Sequence, residues 1–206
     1  MDLKIILAIF VAIYSQGAWC QSISCSYGLN ENNFYTCDMT IDNPNGFDAF
    51  VNIGGIHDGD NSNDNVERVE VVSGITSIIP QIICAQFPNL EEIVISNNQV
   101  QHITETSVAG CSKLFVFELF DNPIEEFHPD SFKSNPLLEM FYVAGTQVTT
   151  LPETLFDNTP NLLWFYFYYN GNLVHLPTNF LRAATKLEIL FLNDCNLDVW
   201  ASAWSQ

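Results

Sequence analysis

Basic residues are scarce in this chain. Of 206 residues, 6 are Lys or Arg against 24 Asp or Glu, a formal net charge of -18. So few cations cannot track a phosphate backbone, which argues against nucleic acid as a partner. The same shortage argues against an anionic membrane surface. Enzyme signatures are missing too: there is no Gly-x-Ser-x-Gly elbow, no Gly-rich phosphate loop and no His-Glu-x-x-His. The histidines, His57, His102, His128 and His175, stand at unrelated places, and His102 and His128 fall in turns, as ordinary surface residues. The acidic pairs Glu91–Glu92 and Glu125–Glu126 are adjacent in sequence, so a strand points one up and one down and neither forms a dyad. No enzyme activity, metal or cofactor is expected. Asn-x-Ser/Thr acceptors are absent, Asn158-Thr-Pro not qualifying, so such sugars do not mask the surface. After the N-terminal apolar run no second stretch of about 20 apolar residues follows, and no hydrophobic tail of the lipid-anchor kind.

What is present is a repeat. The segment around Leu138, Phe141, Val143, Val148, Leu151, Leu155 and Phe156 has copies on both sides, with starts at Val66, Leu90, Leu114, Leu138, Leu162 and Leu187. The step is about 24 residues, a solenoid period. Each copy is apolar at its first, fourth and sixth places. The ninth place holds Gly74, Asn98, Asn122, Thr146, Asn170 and Cys195. Leu151–Pro152 and Leu176–Pro177 end the ascending turn, since Pro has no N–H to donate. Phe87, Phe132 and Phe156 are expected to fill the convex side of the core. One residue too many lies between Asn170 and Leu176, and Gly171 makes a bulge the expected remedy.

These offsets resemble the leucine-rich-repeat superfamily over residues 66 to about 197. The resemblance implies an α/β solenoid, a horseshoe with a parallel concave sheet and an irregular or 3-10 convex side. Six strands about 4.8 Å apart would line a face roughly 25 Å long. Each unit cannot bury its own apolar face, and stacking joins those faces into one core. Family repeats carry Asn or Cys at the ninth place, bonding backbone groups inside the turn. Gly74 and Thr146 depart from this and are expected to weaken the ladder.

The first 20 residues read as a secretory signal. Lys4 precedes an apolar run from Ile5 to Tyr14, too short to span a bilayer. Cleavage after Gly17, Ala18 or Cys20 is compatible with the small residues there, with Cys20 preferred. An exported protein is permitted disulfides. Cys25 and Cys37 flank a hairpin-like stretch, and a bridge there would cap the solenoid. Cys84 and Cys111 fall on the convex side of neighbouring repeats and are expected to bridge. Cys195 is expected to be a buried free thiol, and no Cys/His grouping has zinc spacing. Residues 21–65 are thus an N-terminal cap with an irregular first unit, in which Phe47, Phe50, Val51 and Ile53 are expected to form the first strand. Asp58, Asp60, Ser62 and Asp64 alternate as in a calcium loop, but Asn63 and Val69 stand where Gly and Glu belong, so a solvated loop is the better reading. Residues 198–206 form a short tail without the cysteine-rich C-terminal cap of many extracellular members. That leaves an edge at Leu187, Leu190 and Leu192, which Trp200 and Trp204 cover, a second copy pairs with, or truncation explains.

With the fourth and sixth places inward, the third, fifth and seventh point outward on the concave face. The third-place row is Arg68, Glu92, Val116, Met140, Trp164, Ile189. The fifth is Glu70, Val94, Glu118, Tyr142, Tyr166, Phe191. The seventh is Val72, Ser96, Phe120, Ala144, Tyr168, Asn193. The first half is acidic and the second aromatic. Tyr142, Trp164, Tyr166, Tyr168 and Phe191, bordered by Phe120 and Met140, are expected to form a contiguous exposed patch. Such a patch marks an interaction surface; the competing reading is rings that merely stiffen the sheet. Flanking Glu70, Glu92 and Glu118 fit a protein partner with basic and apolar surface. The layout resembles small secreted leucine-rich-repeat proteins of arthropods, some acting in innate immunity or adhesion. The rival expectations are a self-associating structural protein, forming a homodimer through the C-terminal edge, and a carrier of a small apolar ligand.

Overall fold

The computed structural model describes residues 22–44, 46 and 52–197. The signal segment, Phe47, Phe50, Val51, Trp200 and Trp204 lie outside them. One eight-stranded sheet runs β1 (Ser22–Leu29), β2 (Tyr35–Asn43), β3 (Arg68–Thr76), β4 (Glu92–Ser96), β6 (Val116–Phe120), β8 (Met140–Ala144), β9 (Trp164–Tyr168), β10 (Ile189–Phe191). From β2 onward neighbours are parallel, and the register Arg68↔Glu92↔Val116↔Met140↔Trp164↔Ile189 keeps each sequence place on one line. The six repeat strands β3 to β10 bound five full turns. The convex side is irregular. It carries one short helix, α1 (Ile82–Gln86), and a small parallel sheet of β5 (His102–Ile103) and β7 (Glu126–Phe127).

Two devices close each turn. The eighth place enters the left-handed region: Asn97 (φ 51°), Asp121 (50°), Gly145 (69°), Tyr169 (52°) and Asp194 (55°). From there Asn97, Asp121 and Tyr169 donate their N–H to the carbonyls of Phe120, Ala144 and Asn193 in the next repeat. The ninth place then bonds backbone from within. The Asn122 amide donates to the carbonyls of Ile95 (3.0 Å) and Phe120 (2.9 Å). The Asn170 amide donates to that of Val143, and the Cys195 thiol to that of Phe167. Thr146 bonds forward, its hydroxyl donating to Asn170 Oδ1 at 2.7 Å.

Phenylalanine, more than leucine, fills the centre. Phe117, Phe141 and Phe165, all fourth-place, stack along the solenoid with centroids 6.0 and 5.1 Å apart. Phe132 and Phe156 stack behind them at 5.9 Å and meet Phe141 edge-on. Phe87 is fully buried as well, against Tyr27. Fully burying such rings contributes on the order of 1.5–3 kcal/mol each.

The N-terminal region differs from its sequence-based reading. Tyr35–Asn43 is a regular strand, so the parallel sheet begins at β2 and not at an irregular strand near Ile53. Ile53 is buried outside any strand, and Gly54 beside it bridges Ser24 of β1. An additional residue sits here too. Met39 pairs with Val71 and Thr40 with Ser73, so Val72 is bulged out. Gly74 makes this approach feasible: at φ 90°, a Cβ would lie 1.8 Å from the Ile41 carbonyl oxygen. Gly74 thus seats the cap, while offering no side chain to the ninth-place ladder. Gly171 has no such role. The surplus residue there is taken up in a turn closed by Leu173 N–H to the Asn170 carbonyl, and a Cβ on Gly171 would meet nothing. His57 is no plain surface residue. It stacks on Tyr27 at 3.8 Å, and its ring nitrogens bond Tyr35 Oη (3.1 Å) and Asn63 Oδ1 (2.8 Å). That pins the Asp/Asn-rich loop onto the cap.

The bridges are Cys25–Cys37, across the β1–β2 hairpin, and Cys84–Cys111, tying α1 to the turn before the next repeat, with Cα atoms 5.0 and 4.8 Å apart. Cys195 is free and half-buried.

Phe141→Ala should cost about 3–5 kcal/mol in urea unfolding, while Phe191→Ala at the exposed end of the sheet should leave the midpoint nearly unchanged. Gly74→Ala should lose more than about 1 kcal/mol because φ is incompatible, whereas Gly171→Ala should be neutral or gain about 0.4–1 kcal/mol. Equal effects of the two glycine substitutions would contradict the placement of the bulge.

Candidate functional site

The concave sheet divides into an acidic half and an aromatic half. In the acidic half, Arg68 is pinned between two carboxylates, donating to Glu92 Oε2 at 2.5 Å and to Glu70 Oε2 at 3.0 Å. Glu92 is almost fully buried under this contact. Glu118, half-buried one row on, has no hydrogen bond or ion pair of its own among the described residues. Burial raises its pKa above the ordinary 4.5, with Arg68 opposing and Glu92 and Glu70 adding to the rise.

The aromatic half is one connected set of rings. Phe120 meets Tyr142 at 4.7 Å, Tyr142 meets Tyr166 at 5.0 Å and Tyr168 at 5.4 Å, and Phe191 lies 5.9 Å from both Tyr166 and Tyr168. The Tyr142 and Tyr168 hydroxyls are hydrogen-bonded at 2.8 Å. Burial and that bond push Tyr168 up to about 12. Trp164 stands between Met140 and Ile189 in the third-place row.

The patch is contiguous, but it is less open than the sequence suggested. Phe120, Met140, Tyr142, Trp164, Tyr166 and Tyr168 are all half-buried, and only Phe191, at 43 %, is open. Strands one spacing apart bring large rings into mutual contact, and each covers its neighbours. Val94, Val116 and Ala144, in the outward rows, are buried for the same reason. The exposed surface runs one place beyond the seventh-place row. Tyr169 is 63 % exposed, with its ring 5.0 Å from that of Tyr168. The other eighth places that enter the left-handed region hold Asn97, Asp121, Gly145 and Asp194, residue types that tolerate it; a bulky ring there is an outlier. Comparing eighth-place residues would have exposed it.

On the convex side, Glu105, His128 and Asp130, all exposed, bring ligand-type atoms within 4.8 Å of one another. The Asp130 N–H donates to His128 Nδ1 at 3.2 Å, which places the proton of a neutral ring on Nε2 and occupies the other nitrogen. The trio therefore makes a poor metal site. His102 is half-buried in β5, 3.3 Å from Glu126.

A glutamate with a raised pKa holds its proton more tightly folded than unfolded. Its stabilising contribution is complete below the unfolded pKa and is lost as pH rises through the raised value. Glu118→Gln stays neutral throughout. The variant should be more stable than the natural chain at pH 7, with the gap closing toward pH 4.5; a gap independent of pH, measured by urea unfolding, would remove the claim of a destabilised carboxylate.

Residues 88–148 match the family model for the leucine rich repeat. The rat leucine-rich repeat-containing G-protein coupled receptor 5 is 26 % identical over 124 residues, which is 60 % of this chain and 13 % of the receptor. A chain of the octameric complex of latrophilin 3, Unc5D and the leucine-rich-repeat protein FLRT2 superposes with TM-score 0.57 at 18 % identity, over 65 % of this chain and 40 % of its own length. A chain of the glycosylated Drosophila Toll–Spatzle complex gives 0.52 at 24 % identity, over 63 % of this chain and 17 % of its own. This chain thus spans well under half the length of these relatives. Among the described residues no helix is long and apolar enough to cross a membrane. The matched stretch lies inside a skeleton that continues on both sides in one register, and the solenoid has the leucine-rich-repeat fold.

Proposed function

We propose that this is an exported recognition protein that binds a protein partner on the aromatic half of its concave face. The observation that carries the reading is the connected ring surface from Phe120 to Phe191, extended at its rim by exposed Tyr169. The buried core is supplied by the phenylalanine stack on the other side of the sheet, so the rings lie outside it. Tyr and Trp dominate binding hot spots, since they bring large rigid area at low entropic cost. Tyr169 holds a strained backbone conformation while its ring faces solvent, and strain of this kind gathers at functional sites.

Export is supported by the signal-like N-terminal segment and by two disulfides, which persist in oxidising compartments. FLRT2 and Toll occur in assemblies with other proteins, a precedent for solenoids of this fold holding protein partners. A role in innate immunity is the biological setting we favour, following the likeness to small secreted arthropod proteins.

The test is affinity capture from the extracellular fluid of the source tissue, using the mature protein beside its Trp164→Ala and Tyr166→Ala variants. Each hot-spot residue should be worth about 2 kcal/mol or more, roughly thirty-fold in affinity, with the urea midpoint unchanged. Variants that no longer fold would make the rings packing elements. Undiminished capture would put the binding surface elsewhere, and a protein that captures only its own copy would favour the self-associating alternative.

A further inference from the structure

The concave face has more carboxylate than its own cation can neutralise, and the surplus sits where the rings begin. Arg68 is occupied by Glu70 and Glu92. Glu118, two strands on from Glu70 in the fifth-place row with Val94 between them, is left with no hydrogen bond or ion pair among the described residues. Its strand neighbour on the far side is Tyr142, in register, and Phe120 lies two residues on along the same strand with its ring 4.7 Å from Tyr142. Phe120 and Tyr142 meet edge-to-face. A carboxylate thus lies beside two aromatic rings, at the border between the acidic and aromatic halves.

The chemistry that completes such a place is a planar cation. A carboxylate partly removed from water and not paired internally is stabilised by an opposite charge arriving from outside. Ring faces attract cations as well. Guanidinium meets both demands better than ammonium. It is more weakly hydrated, stacks on aromatic faces, and presents a fork that matches a carboxylate. We propose that Glu118, with Phe120 and Tyr142 beside it, receives one arginine side chain of the protein segment that docks on the aromatic surface, that segment placing an apolar or aromatic side chain next to the arginine. This rests on the function proposed above and names the feature its partner must carry. The upward push on the Glu118 pKa comes first from burial, and Arg68, which opposes it, is already bonded to Glu70 and Glu92.

The experiment is panning of a random peptide display on the mature protein, followed by affinity measurements on synthetic versions of the enriched peptides. Enriched sequences should carry arginine within two residues of an apolar or aromatic residue. Replacing that arginine by citrulline should weaken binding at least tenfold, and replacing it by lysine should weaken it by a smaller factor. Glu118→Gln should produce the same tenfold loss on the arginine peptide and no further loss on the citrulline peptide, with the urea midpoint not lowered. The inference is overturned if Glu118→Gln leaves arginine-peptide affinity unchanged, or if enriched peptides lack arginine yet still require Tyr166. In that second case the aromatic recognition surface stands and only the arginine site falls. If no enriched peptide is sensitive to Tyr166→Ala, the recognition surface fails along with it.

Discussion

Everything in this molecule depends on one constraint: no turn of the chain can bury its own apolar face, so each must lie in register on the next. The register is held from inside by stacked phenylalanines. Phe141 touches Phe117, Phe165, Phe132 and Phe156, and so joins three repeats and both layers of the core. Dispersion and burial along this stack favour one alignment, because a slip of one residue would turn every fourth- and sixth-place ring out to water. Asn122, Asn170 and Cys195 then satisfy backbone carbonyls that the turns would otherwise leave unpaired.

The concave surface follows from the same register. Once the fourth and sixth places are inward, the third, fifth and seventh must form straight rows on the other face. Whatever the repeats carry at those places is thereby gathered from residues about 24 positions apart into contact. The rows run from an ion-paired acidic corner at Arg68 to a wall of rings ending at Phe191. The face is closely packed: rings touch rings, and the Tyr142 and Tyr168 hydroxyls are joined.

Much of this was legible in the sequence because the repeat is periodic. The strand places, both bridges and the residues of the concave rows all follow from counting. What the count missed lies where the period stops or where a neighbour decides. β2 precedes the first full repeat, so the 24-residue skeleton does not mark it, although it extends the parallel sheet with one bulge opposite Met39 and Thr40. Gly74 stands at the ninth place and Gly171 in the surplus after Asn170, but the bulge lies beside the first, and only the approach of Ile41 reveals it. His57 lies in a loop of Asp and Asn, and its stacking on Tyr27 is a long-range contact that no local pattern encodes. The openness of the aromatic patch was overestimated because rows predict direction, whereas exposure depends on how large the adjoining rings are. Tyr169 was missed because the count ended at the seventh place, while the structure shows the eighth turned out to solvent in an unusual backbone conformation.

The measurement that bears most directly on the central claim is hydroxyl-radical footprinting of the mature protein alone and with a captured protein partner bound. Tyr166, Tyr168, Tyr169 and Phe191 should lose reactivity together on binding, while His128 on the convex side should keep its own. Protection of the convex side, with these four residues as reactive as in the free protein, would contradict the account.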